Sequence, residues 1–235
     1  VALVLFDLAA RDPAVRFSPF SWRIKMALAH KSIAHETVPW RFTEKNIIQK
    51  AGVKTSPVIE HDGRWLGESF AIALYLDEAF PDQPLMRTPA ERALTRAFAA
   101  WVDTTVIELF ARQIIVDIVP ILHGVDQIYF RETREARFKQ PLEAVSANRD
   151  QTLPDLRRAL EPGRTPVRHA NFICGPAPGY ADYVLFAAFQ WVRCASGRSL
   201  LASDDPLERW RLRMLDLHGG YAARAPVAYP ERITP

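Results

Sequence analysis

Hydrophobic positions in the first eighty residues alternate between short continuous runs and helical spacing. Leu3-Val4-Leu5-Phe6-Asp7-Leu8 is apolar but for one acid, as in a strand buried on both faces. From Ser18 the spacing turns helical, with Phe20, Ile24, Ala27 and Leu28 on one face. Glu36-Thr37-Val38 predicts a second short strand, and Thr43 to Ala51 a short, weakly patterned helix. Pro57 to His61 and Arg64 to Gly67 flank Asp62-Gly63; a DG pair between β-prone runs predicts a hairpin. Ser69 then N-caps a helix with Ile72, Ala73, Leu76 and Phe80 on one side. The predicted order is βαβαββα, an α/β domain over residues 1–81.

The pattern then changes. Pro81 to Arg87 has breaker chemistry and no period, and residues 82–89 are read as a linker. Thr88-Pro89-Ala90-Glu91 has the form of a capping box with proline at the first helical position. A long helix follows through Leu94, Phe98, Trp101, Thr105 and Leu109, and Pro120 should end it. Leu142, Val145, Arg149, Leu153, Leu156 and Leu160 predict a further helix, interrupted by Pro154. Gly175 to Gly179 reads as a loop, Tyr180 to Arg193 as a buried helix, and Pro206 to Leu217 as an amphipathic one. The end from Pro226 is irregular. No strand pair is predicted after residue 90, so residues 90–235 form an all-α domain.

Composition narrows the function classes. A net charge of +3 is small against 57 charged side chains, 30 basic and 27 acidic, so nucleic acid is not an expected partner. The densest basic stretch, Arg131 to Lys139, interleaves acids with bases and reads as a solvated helix face. Two cysteines, Cys174 and Cys194, cannot staple a secreted framework of this size. The histidines are scattered without HxxxH or HExxH spacing, so no metal is expected. The most apolar run, Ile114 to Leu122, contains Asp117 and Pro120 and falls short of the ~20 residues that span a bilayer. No basic segment precedes the first strand; a cytoplasmic protein without a signal peptide is expected, with the first residue or two removed.

The candidate chemistry lies at turns and helix starts. Ser18 before Pro19 has the form of an N-cap, and a hydroxyl with free N–H groups at a helix N-terminus also favours a nearby anion. A thiol held there would be pushed towards thiolate, its nucleophilic form. Ser21, one turn on, is either an assistant or a surface serine. Pro57 opens a strand; with a cis bond before it, Ser56 would turn its backbone outward to pair with an extended peptide. Glu68 beside Ser69 offers an acceptor for an ammonium and donors for a carboxylate, which an α-amino acid head group requires.

At these residues the chain resembles the glutathione transferase superfamily. Ser18-Pro19-Phe20-Ser21-Trp22-Arg23 stands where glutaredoxins and omega-type transferases carry Cys-Pro-Phe/Tyr. Ala9 to Phe17 and Val38 to Lys45 are similar to the branch of bacterial β-aryl-etherases and fungal A-type transferases. Glu68-Ser69 matches the superfamily's γ-glutamyl site. Ala181-Asp182 matches its second-domain capping motif, with Gly179 in place of the usual Ser/Thr; Ser56 stands where many relatives have Val.

The resemblance implies a thioredoxin-like domain, an all-helical domain and a homodimer. It implies Ser18 on the glutathione thiol, Ser56 and Pro57 on the cysteinyl backbone, and Glu68 and Ser69 on the γ-glutamyl head. Lys45, with Arg41 a rival, would meet the glycyl carboxylate. Phe20, Phe98 and Trp101 would line a pocket between the domains for a hydrophobic, aromatic small-molecule electrophile, an aryl ether being the boldest form; no cation is assigned to that pocket. Serine in place of cysteine argues for thiolate stabilisation over disulfide exchange. A glutathione-binding or protein-interaction module without catalysis is the competing reading.

Overall fold

The structure, a computed structural model, describes residues 3–230. The first domain comprises β1 (Leu3–Leu8), α1 (Pro19–His30), β2 (His35–Trp40), α2 (Lys45–Gln49), β3 (Val58–His61), β4 (Arg64–Gly67) and α3 (Ser69–Ala79). Its sheet has the order β2-β1-β3-β4, with β1 and β2 parallel and the β1–β3 and β3–β4 pairs antiparallel. This is the thioredoxin-like βαβαββα arrangement. β1 is central, which explains why its apolar run is continuous. β2 extends through Pro39 to Trp40; it is an edge strand, where a missing N–H is tolerated. α2 is shorter than its sequence pattern, ending at Gln49. Ser32 and Asp62 adopt left-handed backbone, Asp62 within the β3–β4 turn that its DG pair predicts.

The second domain is helical: α4 (Pro89–Trp101), a π-helical turn (Val102–Val106), α5 (Ile107–Ile118), a 3₁₀ turn (Val119–Ile121), α6 (Gly124–Phe138), α7 (Leu142–Ser146), α8 (Leu153–Ala159), α9 (Glu161–Val167), α10 (Tyr180–Ala195) and α11 (Pro206–Gly220). Pro120 closes the long α4–α5 run, as its missing N–H requires. Pro154 does not interrupt a helix but opens one, so the expected 142–160 element is two helices with a turn between. Thr88 caps α4 by accepting from the Glu91 N–H at 3.1 Å, but the Glu91 carboxylate reaches back to the Arg87 N–H at 2.9 Å, one residue beyond a reciprocal box. α11 breaks at Leu217, where His218 and Gly219 take left-handed backbone.

α10 organises the interior. Every residue of this helix except Arg193 is buried, and it packs along α1 of the first domain. Asp182, fully buried in its first turn, accepts from the N–H groups of Ile173 (2.7 Å), Cys174 (3.1 Å) and Gly179 (3.1 Å) and from Trp210 Nε1 (2.9 Å). Burial pushes its carboxyl above the ordinary carboxylate value, and the four donors pull the other way. Gly179 replaces a larger cap because a Cβ there would meet Cys174 Sγ at 2.8 Å. The connection at 82–89 is packed: Leu85 and Met86 are buried, and Asp77 accepts from both of their N–H groups and from Lys31 Nζ.

Candidate active site

A cavity of about 320 Å³ opens between the domains. Its first-domain wall brings together Ser18, Phe20, Lys45, Ser56, Pro57, Glu68 and Ser69 from four separate segments. Ser18 is the N-cap of α1; its Oγ accepts from the Ser21 N–H at 3.2 Å. A hydroxyl has one proton to donate, and this bond uses only a lone pair, so the O–H is left to a ligand. Ser21 does not line the cavity. Its side chain is buried towards the core, its Oγ has no hydrogen-bond partner, and its part at the site is the backbone N–H that orients Ser18. Residues i and i+3 lie one above the other on a helix, and here Ser18 is the capping residue at the open end.

Glu68, not Ser69, is the N-cap of α3. Its φ of 72° and ψ of 118° fold the chain back, so the carboxylate accepts from the N–H groups of Phe70 (2.8 Å) and Ala71 (2.9 Å). Such backbone in a non-glycine residue costs on the order of 1–3 kcal/mol and marks sites where geometry is enforced. The approach to it is tight: a Cβ on Gly67 would lie 2.5 Å from Val53 Cγ1. Ser69 is buried at the first helical position; its Oγ accepts from Arg23 at 3.5 Å and its carbonyl from Tyr180 Oη at 2.8 Å. Arg23 is itself buried and pairs with Asp103 at 2.5 Å. Asp103 sits in the π-helical turn and lines the cavity, an acid of the second domain linked to Ser69 at the start of α3 through Arg23. Tyr180, Arg23 and Asp103 were not legible as site-supporting residues, because their partners lie far away in sequence.

The peptide bond between Ser56 and Pro57 is cis, and both residues line the cavity. Lys45 reaches it too: its Nζ donates to Tyr129 Oη at 3.1 Å and lies 4.4 Å from that ring's centre. Arg41 does not line it and faces Glu44 at 3.9 Å. Lys54, a residue sequence reasoning missed, lines it as well.

The second-domain wall differs from expectation. Phe98 and Trp101 pack on each other, their rings tilted by 56° with centres 5.1 Å apart, and do not line the cavity. Trp101 precedes Asp103 by two positions, about 200° around a helix, so the two point to opposite sides. The inward stripe is Asp103, Ile107, Ala111, Ile115 and Ile118, spaced by four and three. Tyr129, Phe130 and Phe138 of α6 complete an aromatic wall with Phe17, Trp40 and Phe42. That wall carries cations, contrary to expectation. Arg134 and Arg137 both reach the cavity, so α6 is not a purely solvated face there.

Burial pushes the thiols of Cys174 and Cys194 up to about 12, so neither offers a thiolate near neutral pH. Among the described residues, no group of three or more His, Cys, Asp or Glu is placed to hold a metal ion. Among them too, no helix is long and apolar enough to cross a membrane.

Comparison with known proteins agrees with the two-domain fold. Residues 13–84 match the glutathione S-transferase N-terminal domain and residues 93–218 the C-terminal domain. Glutathione S-transferase U7 of Arabidopsis thaliana is 37% identical over 90 residues, which cover 37% of this chain and 40% of that protein. The matched stretch thus spans about two fifths of that curated relative. A glutathione S-transferase of Ceriporiopsis subvermispora, solved in complex with glutathione, superposes with a TM-score of 0.78 at 22% identity, over 94% of this chain and 98% of that one. A glutathione transferase of Phanerochaete chrysosporium gives 0.75 at 22% identity, over 95% and 94%. With both domain families matched in order along one chain, and the fold they share reproduced, this protein belongs to the glutathione S-transferase family.

Proposed function

We propose that the chain is a glutathione transferase in which Ser18 holds the glutathione thiolate for attack on an aromatic electrophile. The observation that carries this reading is the Ser18 hydroxyl at the start of α1, oriented by the Ser21 N–H and open to the cavity. Glutathione would lie along the first-domain wall. Its γ-glutamyl ammonium meets the acids Glu68 and Asp103, and its γ-glutamyl carboxylate meets Ser69 at the positive end of α3. The cysteinyl backbone runs past Ser56 and Pro57, and the glycyl carboxylate meets Lys45, with Lys54 beside it. The thiol loses its proton to water, the Ser18 O–H donates to the sulfur anion, and the thiolate forms a carbon–sulfur bond as the leaving group departs with its electron pair. The aromatic wall favours flat apolar electrophiles through burial and offset stacking. Aryl ethers belong in the test set because residues 9–17 and 38–45 resemble the β-aryl-etherase branch.

A hydrogen bond to a charged group contributes about 1.5–3 kcal/mol, or roughly one to two pKa units. The kinetic pKa of the bound thiol should therefore rise by about that much in Ser18→Ala, with turnover falling more than glutathione affinity. A pH–rate profile equal to that of the parent would remove Ser18 from this role. Tight glutathione binding without turnover of aryl halides, aryl ethers or isothiocyanates would favour the binding module instead.

We also read the chain as a homodimer. Leu94 is 72% exposed on α4, and Phe98 and Trp101 follow it on the same stripe at i+4 and i+7. Light scattering of the protein and of Leu94→Asp would test this; a monomeric parent would contradict it.

A further inference from the structure

Arg134 is a charged cavity residue that the glutathione reading leaves unused and that no carboxylate among the described residues pairs with. Its guanidinium lies 4.8 Å from the centre of the Phe130 ring and 5.2 Å from that of Phe42, so two aromatic rings support it. Its one hydrogen bond among the described residues is to the adjacent Thr133 Oγ1 at 2.9 Å, and no carboxylate pairs with it there. The other charged groups of the cavity have partners or glutathione roles. Arg137 donates to Glu108 at 2.6 Å, and Asp103 is held by Arg23. Glu68 caps α3, Lys45 rests on Tyr129, and Lys54 stands on the first-domain wall. Burial and the neighbouring Arg137 both work against the charge on Arg134, with only Tyr129 favouring it, and an anion would relieve them. A guanidinium resting against two aromatic rings suits a carboxylate or phenolate carried by a ring that stacks in the same wall.

We propose that the electrophile is an aromatic compound bearing an anionic substituent, and that Arg134 is the residue that selects it. The inference rests on the transferase reading, since the glutathione thiolate sets where the ring lies. The direct test needs no turnover: calorimetric titration of the protein with S-benzylglutathione and with S-(4-carboxybenzyl)glutathione, which differ by one carboxylate. The carboxylated conjugate should bind about tenfold tighter or more, the worth of one charge-assisted hydrogen bond. Arg134→Gln should erase that preference while leaving glutathione affinity within about threefold. Arg134→Lys should restore only part of it, because an ammonium lacks the planar fork. Equal affinity for the two conjugates in the parent protein would overturn the proposal while glutathione binding stood. A preference that survives in Arg134→Gln would overturn the role of Arg134. Loss of glutathione affinity itself in that variant would assign Arg134 to the glycyl carboxylate and equally overturn it. Failure of the parent protein to bind glutathione at all would remove the transferase reading, and this inference with it.

Discussion

Among the helix N-termini that carry an acid, those of α10 and α3 do opposite work. At α10, Asp182 is fully buried and its carboxylate accepts from four donors, two from the preceding loop, one from Gly179 and one from α11. At α3, Glu68 is exposed at the cavity, bonded only to its own helix, and held at a φ of 72°. The first acid closes a network; the second caps its own helix yet stays exposed at the cavity, in a backbone conformation that local energetics disfavour. Satisfied and buried is the signature of an acid that holds the fold. Strained and exposed beside a cavity is the signature of one kept for a ligand. The two termini are joined, because Tyr180 at the start of α10 donates to the Ser69 carbonyl at the start of α3.

The largest effect should come from removing the closed acid. Asp182→Ala strands Trp210 Nε1 and three backbone N–H groups in the interior. Each bond to a charged acceptor is worth about 1.5–3 kcal/mol and the set is not additive, so a loss of about 3 kcal/mol or more is expected in urea unfolding. A midpoint within error of the parent would dissolve the distinction between the termini. Tyr180→Phe tests the link. It deletes one neutral hydrogen bond, so about 1 kcal/mol of stability should go, with a small loss of glutathione affinity through Ser69. Affinity that falls while stability does not would make Tyr180 a positioning residue alone.

The α/β unit was readable because its strands are short, bounded by turn chemistry and patterned by burial. The second domain was readable as helical but not in its breaks, since Pro154 can either stop a helix or start one. Ser18, Ser56, Glu68 and Ser69 could be named from local turn and cap chemistry, and the fold gathers them in one cavity. Arg23, Asp103, Arg134 and Tyr180 could not, because what defines them is a partner on another element. The same limit misplaced Phe98 and Trp101: helical spacing shows that they share a stripe but not which way it faces, and the π-helical turn after Trp101 changes the phase.

A smaller effect should appear with pH, where α10 meets α1. His30 Nδ1 lies 2.7 Å from Tyr183 Oη, and Tyr183 Oη lies 3.2 Å from His218 Nε2. Burial first, then the neighbouring His218 and Lys31, push the His30 pKa down to about 4. An unfolded histidine titrates near its ordinary value of about 6.5. Between these values the unfolded chain binds more protons, so this contribution is complete above about 6.5 and is lost as pH falls towards 4. The urea midpoint should therefore drop over that interval, and less steeply in His30→Asn. An equal drop in the variant would place the sensitivity elsewhere.

The comparison stands or falls on what the open terminus binds. Calorimetry of reduced glutathione with Glu68→Ala/Ser69→Ala, beside its thermal unfolding, tests that directly. The account predicts a folded protein whose stability is within about 1–2 kcal/mol of the parent, the usual cost of a lost cap, and whose glutathione heat is abolished. Parent-level affinity in that folded variant would contradict it.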